Sequence, residues 1–540
     1  MIAKNQVGLG NLFALVKKSY KHGFYRFPRI DYSLLKEHGE GLVVSTACVG
    51  GYPSSLIYRE FPDLSFMDLN PGLLKGPEAE SKVKKIMGNL ENAADRFVDC
   101  VGRDNFFLEL QFNDLSAQHL TNSCLLSLSE RTGIPVIATA DSHFPSKDKW
   151  QARELYKKLG WIGAKDGQKL PTIDEMKTML YPKNAQQMWD EFKNGHEKYD
   201  FYKGREEIVK DAIERTHDIT WQMCEDTWID TGAKLPNFGT PEKPAFSMLA
   251  DLVKEGMVNE GYADKPVYIE RVKEELSDIK YLGHESYFLA MYEIFKKAQY
   301  KTLLGPGRGS GGGSLVNFLL GITQIDPIPH GLLWNRFLGR HKASWPDIDT
   351  DAGDRDALID AARELYGEDS VIPVSNFNTL KLKSLVKDIS KFYGIDFAEV
   401  NKMTGPLQDE VMSQAKSDDI EKSVFVLTHE DSMNHSKGYR DFMTKYPEVE
   451  KHVETLFMEN RSIGRHAGGV IIAPEEVLEK TMPIIGVRGE LQTPWTEGMN
   501  FRTLESNGFL KFDFLGLTLL KDVENCIYRI LKKQGKSEPT

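Results

Sequence analysis

The stretch GFLKFDFLGL, residues 508–517, places the tightest limit on how this chain folds. It reads as a strand that is apolar at nearly every position, with Asp513 in its middle. An unpaired carboxylate in such a strand is costly. Two arrangements remove the cost. One is an ion pair with Lys511, two residues away on the same face. The other is a bound cation, and the two can hold together. A cation needs more carboxylates, and the segment PDIDTD supplies Asp347, Asp349 and Asp351. On an extended chain, residues two apart share a face. Carboxylates crowded there raise one another's pKa unless a cation sits among them, and carboxylate oxygens are the ligands magnesium prefers. The plainer reading is a solvated acidic loop, or the N-cap of the helix spelled by DRDALIDAARELYG. Asp351 and Asp354 suit capping, which leaves Asp347, Asp349 and Asp513 for metal. Three aspartates holding two magnesium ions form the clamp that serves in-line phosphoryl transfer.

The second feature is GPGRGSGGGS, residues 305–314, in which six of ten residues are glycine. Gly307-x-Gly309-x-x-Gly312 fits a dinucleotide-binding fingerprint in form, with Asp326 at the spacing of a ribose contact. However, Pro306 interrupts the turn and no regular β-α-β run follows. No lysine precedes Ser310 or Ser314, so the stretch is not a P-loop. A flexible glycine loop remains one reading. The other is a bare backbone that lets phosphate approach the N–H groups of a helix N-terminus. There Arg308 would add charge and a planar fork. That combination suits a nucleoside triphosphate.

The length of 540 residues suggests three or four domains. Strand and helix signals alternate over residues 1–150, as in an α/β layer domain. The strands are expected in GLVVSTACVGG, NFFLELQF and IPVIATADSHF. A proline- and glycine-bearing linker is expected near 216–243. Helical, charged sequence fills 380–460. No apolar run is long enough to span a membrane. The opening MIAKNQVGLGNLF lacks the apolar core of a signal peptide. Five scattered cysteines with no CxxC pair fit a reducing cytoplasm. A net charge of −11 gives no sign of nucleic-acid binding and does not exclude it, since a local basic stripe suffices.

Read together, GPGRGS, LLGIT, PDIDTD, RHAGGVIIAP and KFDFLGL occur in an order that closely resembles the C-family replicative polymerases, the catalytic subunits of bacterial DNA polymerase III. The resemblance runs over essentially the whole chain, from IAKNQVGLGNLFALVKKSY through LPNFGTPE to the end. It implies an α/β and α+β multidomain fold: a PHP-type α/β domain, a polymerase β-like nucleotidyltransferase palm and a helical thumb. The implied boundaries are 1–216 for a PHP-like domain lacking its N-terminal part, 217–378 and 463–523 for the palm, 379–462 for the thumb, and 524–540 for the start of a fingers domain. It implies Asp347, Asp349 and Asp513 as the magnesium triad. Arg308, Gly309, Ser310, Lys342 and Lys511 would lie at the incoming triphosphate, with Lys342 standing where the family usually has arginine. Lys383, Lys387, Arg465 and His466 would face DNA, His466 as a structural or DNA-facing group and not a general base. The partners implied are primer–template DNA, dNTPs and other polymerase fragments or replisome subunits, such as a sliding clamp or proofreading exonuclease.

Two departures qualify the resemblance. PHP domains hold zinc or manganese through His, Asp, Glu and Cys ligands. Cys48, Asp141 and His143 match later members of that set, but the leading HxH is absent, and a metal site needs its full ligand count. The chain also stops soon after Asp513, where fingers would begin. The expectation is one piece of a split or truncated polymerase, phage or bacterial. The alternatives are a PHP phosphoesterase and an inactive remnant that binds DNA or subunits.

Overall fold

The computed structural model describes residues 1–77, 79–159, 179–340, 345–417, 426–498 and 501–536. The chain forms two compact units. One consists of Met1–Leu9, Asp31–Asp226 and Phe377–Ser462, the other of Gly10–Ile30, Thr227–Asn376 and Ile463–Thr540.

The first unit holds a four-stranded sheet. Leu42–Ser45, Phe106–Leu110 and Val136–Ala138 run parallel, and Ile2–Ala3 pairs antiparallel to the first of them. The parallel strands are short, nearly continuous apolar runs, as expected of strands covered on both faces. The helix Ser116–Thr132 follows the second strand and stops at Gly133, whose φ of 68° suits the left-handed cap. A second, helical core also belongs to this unit. In the helix Leu382–Phe392, Leu382, Leu385, Val386 and Ile389 recur at helical spacing and pack with Tyr439, Met443 and Val453. Leu155 and Leu159 of the helix Trp150–Leu159 join that core. The helical segment expected to stand alone at 379–462 therefore shares its core with sequence assigned to the first domain.

The second unit is built on a mixed sheet in the order Thr350–Ala352, Lys511–Gly516, Asn460–Ile472, Val371–Thr379. Lys511–Gly516 runs parallel to Thr350–Ala352 and antiparallel to Asn460–Ile472. Phe512 and Phe514 enter the core with Leu249, Tyr287, Phe288 and Leu358 from covering helices. By the alternation of a strand, Lys511 and Asp513 face the other way.

Residues 10–30, expected within the first domain, belong to this second unit. A buried ion cluster holds them there. Lys17 Nζ lies 3.0 Å from Asp369 Oδ2 and 2.9 Å from Glu475 Oε1, and Lys21 also bonds Asp369. Burial alone would raise the Asp369 pKa, but the hydrogen bonds from Lys21 and Lys17 outweigh it and hold it down at about 2. A depressed carboxyl stabilises the fold above its unfolded pKa, and that stability is lost as pH falls through the folded value. The urea-unfolding midpoint of the chain is therefore expected to drop between about pH 4, where a free aspartate titrates, and about 2. Asp369→Asn should remove part of that drop. An unchanged pH profile in the variant would show that the cluster does not act this way.

Candidate active site

The site forms where the segment before Thr350–Ala352 meets Lys511–Gly516. Ile348 is buried at 1% exposure in the apolar core, and its N–H donates to the Tyr287 hydroxyl at 3.3 Å. With Ile348 turned inward, Asp347 and Asp349 on either side of it turn to the opposite face. Thr350 pairs with Phe514, and its hydroxyl donates to the backbone oxygen of Asp513 at 2.8 Å. This brings the two segments into register. Asp347, Asp349 and Asp513 each offer a carboxylate oxygen, all within 4.8 Å of one another.

Asp513 is 8% exposed. Its Oδ2 lies 2.9 Å from Lys511 Nζ, while Oδ1 is buried with no hydrogen-bond partner. A buried carboxylate oxygen left unsatisfied is expensive. A cation held between this atom and its two neighbours would satisfy it, so the donor set fits a magnesium-type ion. The Asp347 carboxyl titrates above its ordinary range. Partial removal from water raises it first, and the charges of Asp513 and Asp349 add to the shift. Lys511 opposes them, and Glu505 contributes a smaller push upward. Asp347 keeps an exposed surface, so water screens part of this effect.

The glycine stretch lies against the same carboxylates. Gly309 has a φ of +67°, and a Cβ on it would lie 2.3 Å from Asp349 Oδ2. Only glycine lets the backbone pass so near that oxygen. Asp351 is not part of the triad. Its carboxylate accepts the Gly307 N–H at 3.0 Å, and its backbone oxygen accepts Gly305 N–H at 2.8 Å. It pins the glycine stretch from below, whereas Asp354 caps the helix Arg355–Tyr366 by accepting from the Asp356 N–H. Arg308, Gly309 and Ser310 are exposed.

One sequence reading needs correction, and the dinucleotide fingerprint set aside there finds no support. The helix N-terminus after the glycines is not open to phosphate. Glu275, at 0% exposure, accepts the N–H groups of Leu315 and Val316 and the Ser314 hydroxyl, each at 2.9 Å, and Arg271 Nε donates to it at 2.7 Å. A carboxylate in that position occupies the donors and the positive end of the helix. Asp326 is not placed as a ribose contact. It accepts the hydroxyls of Tyr262 and Tyr268 at 2.9 and 2.7 Å and the N–H of Ile328 at 2.9 Å. Sequence reasoning missed Glu275 because its helix, Pro266–Leu282, reads as an ordinary charged amphipathic segment. The remaining signal was a glutamate on the apolar side of that helix.

Of the other expected contacts, His466 lies beside the triad. Its Nδ1 accepts the N–H groups of Gly469 and Gly468 at 2.8 and 3.3 Å, so the neutral ring carries its proton on Nε2. Burial lowers its pKa first, and the Lys511 charge lowers it further against Asp513. Arg465 is paired with Glu490 at 3.1 Å. Lys383 and Lys387 lie one turn apart on the helix Leu382–Phe392 in the first unit, and Lys383 Nζ reaches the Gly405 oxygen at 3.4 Å. Lys342 lies outside the described residues.

The PHP ligands are not gathered. Among the described residues, Cys48, Asp141 and His143 form no group of three donors within 4.8 Å. His143 Nδ1 is instead 2.7 Å from the backbone oxygen of Asp141. At the ends of the parallel strands, Glu109 accepts from Ser45 and Thr139 at 2.5 Å and from Gln111 at 3.0 Å. Its carboxylate is satisfied by protein donors.

Comparison with known proteins adds to this geometry. Residues 247–516 match the family model described as the bacterial DNA polymerase III alpha NTPase domain, and residues 1–113 match a PHP domain model. The DNA polymerase III subunit alpha of Aquifex aeolicus is 30% identical across 99% of this chain and 44% of its own length. That of Borreliella burgdorferi is 31% identical across 98% of this chain and 42% of its own length. The chain thus spans less than half the length of the curated relatives it matches.

Proposed function

Because the chain belongs to the bacterial DNA polymerase III alpha family, we propose that it carries the nucleotidyl-transfer centre of a replicative, DNA-directed DNA polymerase. The observation that supports this reading best is the convergence of Asp347, Asp349 and Asp513, with one buried oxygen of Asp513 left unsatisfied. In the reaction, the primer 3′-oxygen bonds the α-phosphorus of a dNTP while the bond to pyrophosphate breaks. Two magnesium ions held by the three aspartates would lower the pKa of the 3′-hydroxyl and neutralise the departing pyrophosphate.

The chain's own residues do the rest. Lys511 holds Asp513 through Oδ2, and Oδ1 keeps no hydrogen-bond partner among protein groups. The Ile348–Tyr287 contact fixes the face on which Asp347 and Asp349 stand. Gly309 keeps the space over Asp349 clear, and the exposed Arg308 guanidinium meets the triphosphate charge. Ser310 and Lys342 complete the nucleotide contacts, while Lys383, Lys387, Arg465 and His466 serve DNA. The palm and thumb correspond to the mixed sheet and the helical core. A sliding clamp and a proofreading exonuclease are the chain's expected partners. Among the described residues no helix is long and apolar enough to cross a membrane.

Primer extension tests the proposal. Template-directed, magnesium-dependent incorporation is expected from the chain, rising when polypeptides covering the rest of a relative's length are added. Gly309→Ala puts a methyl 2.3 Å from Asp349 Oδ2. It should cut incorporation by at least about tenfold, since ångström-scale misplacement of reacting groups costs up to about a hundredfold. Absence of both incorporation and primer–template binding, with and without those polypeptides, overturns the reading.

A further inference from the structure

A second cluster of ligand-type side chains lies in the helical core of the first unit, and nothing in the polymerase reading uses it. His429 opens the helix His429–His435. Glu450 and Glu454 stand one turn apart on the helix Pro447–Leu456. His429 Nε2 is 3.9 Å from Glu450 Oε1 and 3.7 Å from Glu454 Oε1. The three residues offer donor atoms that all lie within 4.8 Å of one another.

These separations are too long for hydrogen bonds. They suit two ligands of one ion, which at metal–ligand distances of about 2.0–2.2 Å lie no more than about 4.3 Å apart. The two glutamates repel each other across one helical turn, and among the described residues neither has a lysine or arginine partner.

The histidine is oriented for the role. Its far nitrogen, Nδ1, is 2.9 Å from the hydroxyl of Tyr439, a residue at 0% exposure. When Nδ1–H donates to that oxygen, Nε2 presents its lone pair toward the two carboxylates. A buried partner on the non-coordinating nitrogen is how proteins fix the ring of a metal-bound histidine. The mixed nitrogen and oxygen donors select against magnesium and calcium, which favour all-oxygen sites, and suit zinc, which accepts imidazole and carboxylate together.

We propose that His429, Glu450 and Glu454 bind one zinc-type divalent ion, which ties the helix His429–His435 to the helix Pro447–Leu456. With three protein ligands, the fourth position is left to water. The ion braces the helical core and takes no part in nucleotidyl transfer.

Calorimetric titration of the tag-free chain with Zn²⁺, in excess Mg²⁺ so that the aspartate triad is filled, tests this directly. One equivalent of Zn²⁺ is expected to bind and to raise the thermal-unfolding midpoint. Glu454 is 62% exposed at its side chain, so Glu454→Gln should fold normally while weakening Zn²⁺ by about a hundredfold and abolishing the thermal shift. Tyr439→Phe should weaken it by about tenfold, the loss typical of an outer partner. Should the parent and Glu454→Gln take up Zn²⁺ equally, or neither bind it, the three residues are an imidazolium–carboxylate cluster and the proposal falls.

Discussion

Asp513→Asn is expected to reduce primer extension by at least about a thousandfold, in keeping with the several kcal/mol of charge stabilisation that bound metal supplies in the transition state. The substitution is nearly isosteric. It leaves Phe512 and Phe514 in the core and should not lower the unfolding midpoint substantially. It replaces half of the Oδ1/Oδ2 pair with an amide that cannot ligate as a carboxylate does, and it deprives Lys511 of its charged partner. Mn²⁺ binding, read by electron paramagnetic resonance, gives a measure separate from turnover and should weaken in parallel. Retention of both Mn²⁺ binding and incorporation would show that the three aspartates do not form the metal site. Loss of incorporation with Mn²⁺ binding intact would place the defect in Lys511 or the nucleotide instead.

Glu275→Ala is expected to cost about 3–5 kcal/mol of stability, the range for breaking a buried charge pair by removing one partner. Four donors lose their acceptor at once: Arg271, the Ser314 hydroxyl, and the N–H groups of Leu315 and Val316. The burial of Glu275 raises its pKa, and these bonds oppose that. Urea unfolding followed by circular dichroism checks the cost. A loss below about 1 kcal/mol, the ordinary size for a point mutant, would show that water or the relaxed chain replaces the glutamate. Glu275→Gln separates charge from shape, since the amide oxygen can still accept from one or two of the donors.

The strands and helices of both units were largely legible in the sequence, because their apolar periods match their faces. Leu382, Leu385, Val386 and Ile389 recur at helical spacing, and Phe512 and Phe514 alternate around a charge. The partnership of Lys511 with Asp513 was legible for the same reason. The role of Asp351 was not, because its i+2 spacing from Asp349 looks the same whether it faces a metal or a glycine N–H. The fate of the helix N-terminus was also hidden. Glu275 lies 39 residues from Ser314, and no local pattern announces a pairing across that interval. Nor could spacing show that residues 10–30 leave the first unit, since what holds them is an ion cluster with Asp369 and Glu475, far along the chain.

The strand Lys511–Gly516 carries two messages in alternate letters, one for the apolar interior and one for the carboxylate cluster. Parity therefore joins stability to chemistry. Slipping this strand by a single position against Thr350–Ala352 would turn both phenylalanines out of the apolar core and force the lysine and the aspartate into it. The carboxylate cluster cannot drift out of alignment while the fold survives, because the same one-residue shift undoes both.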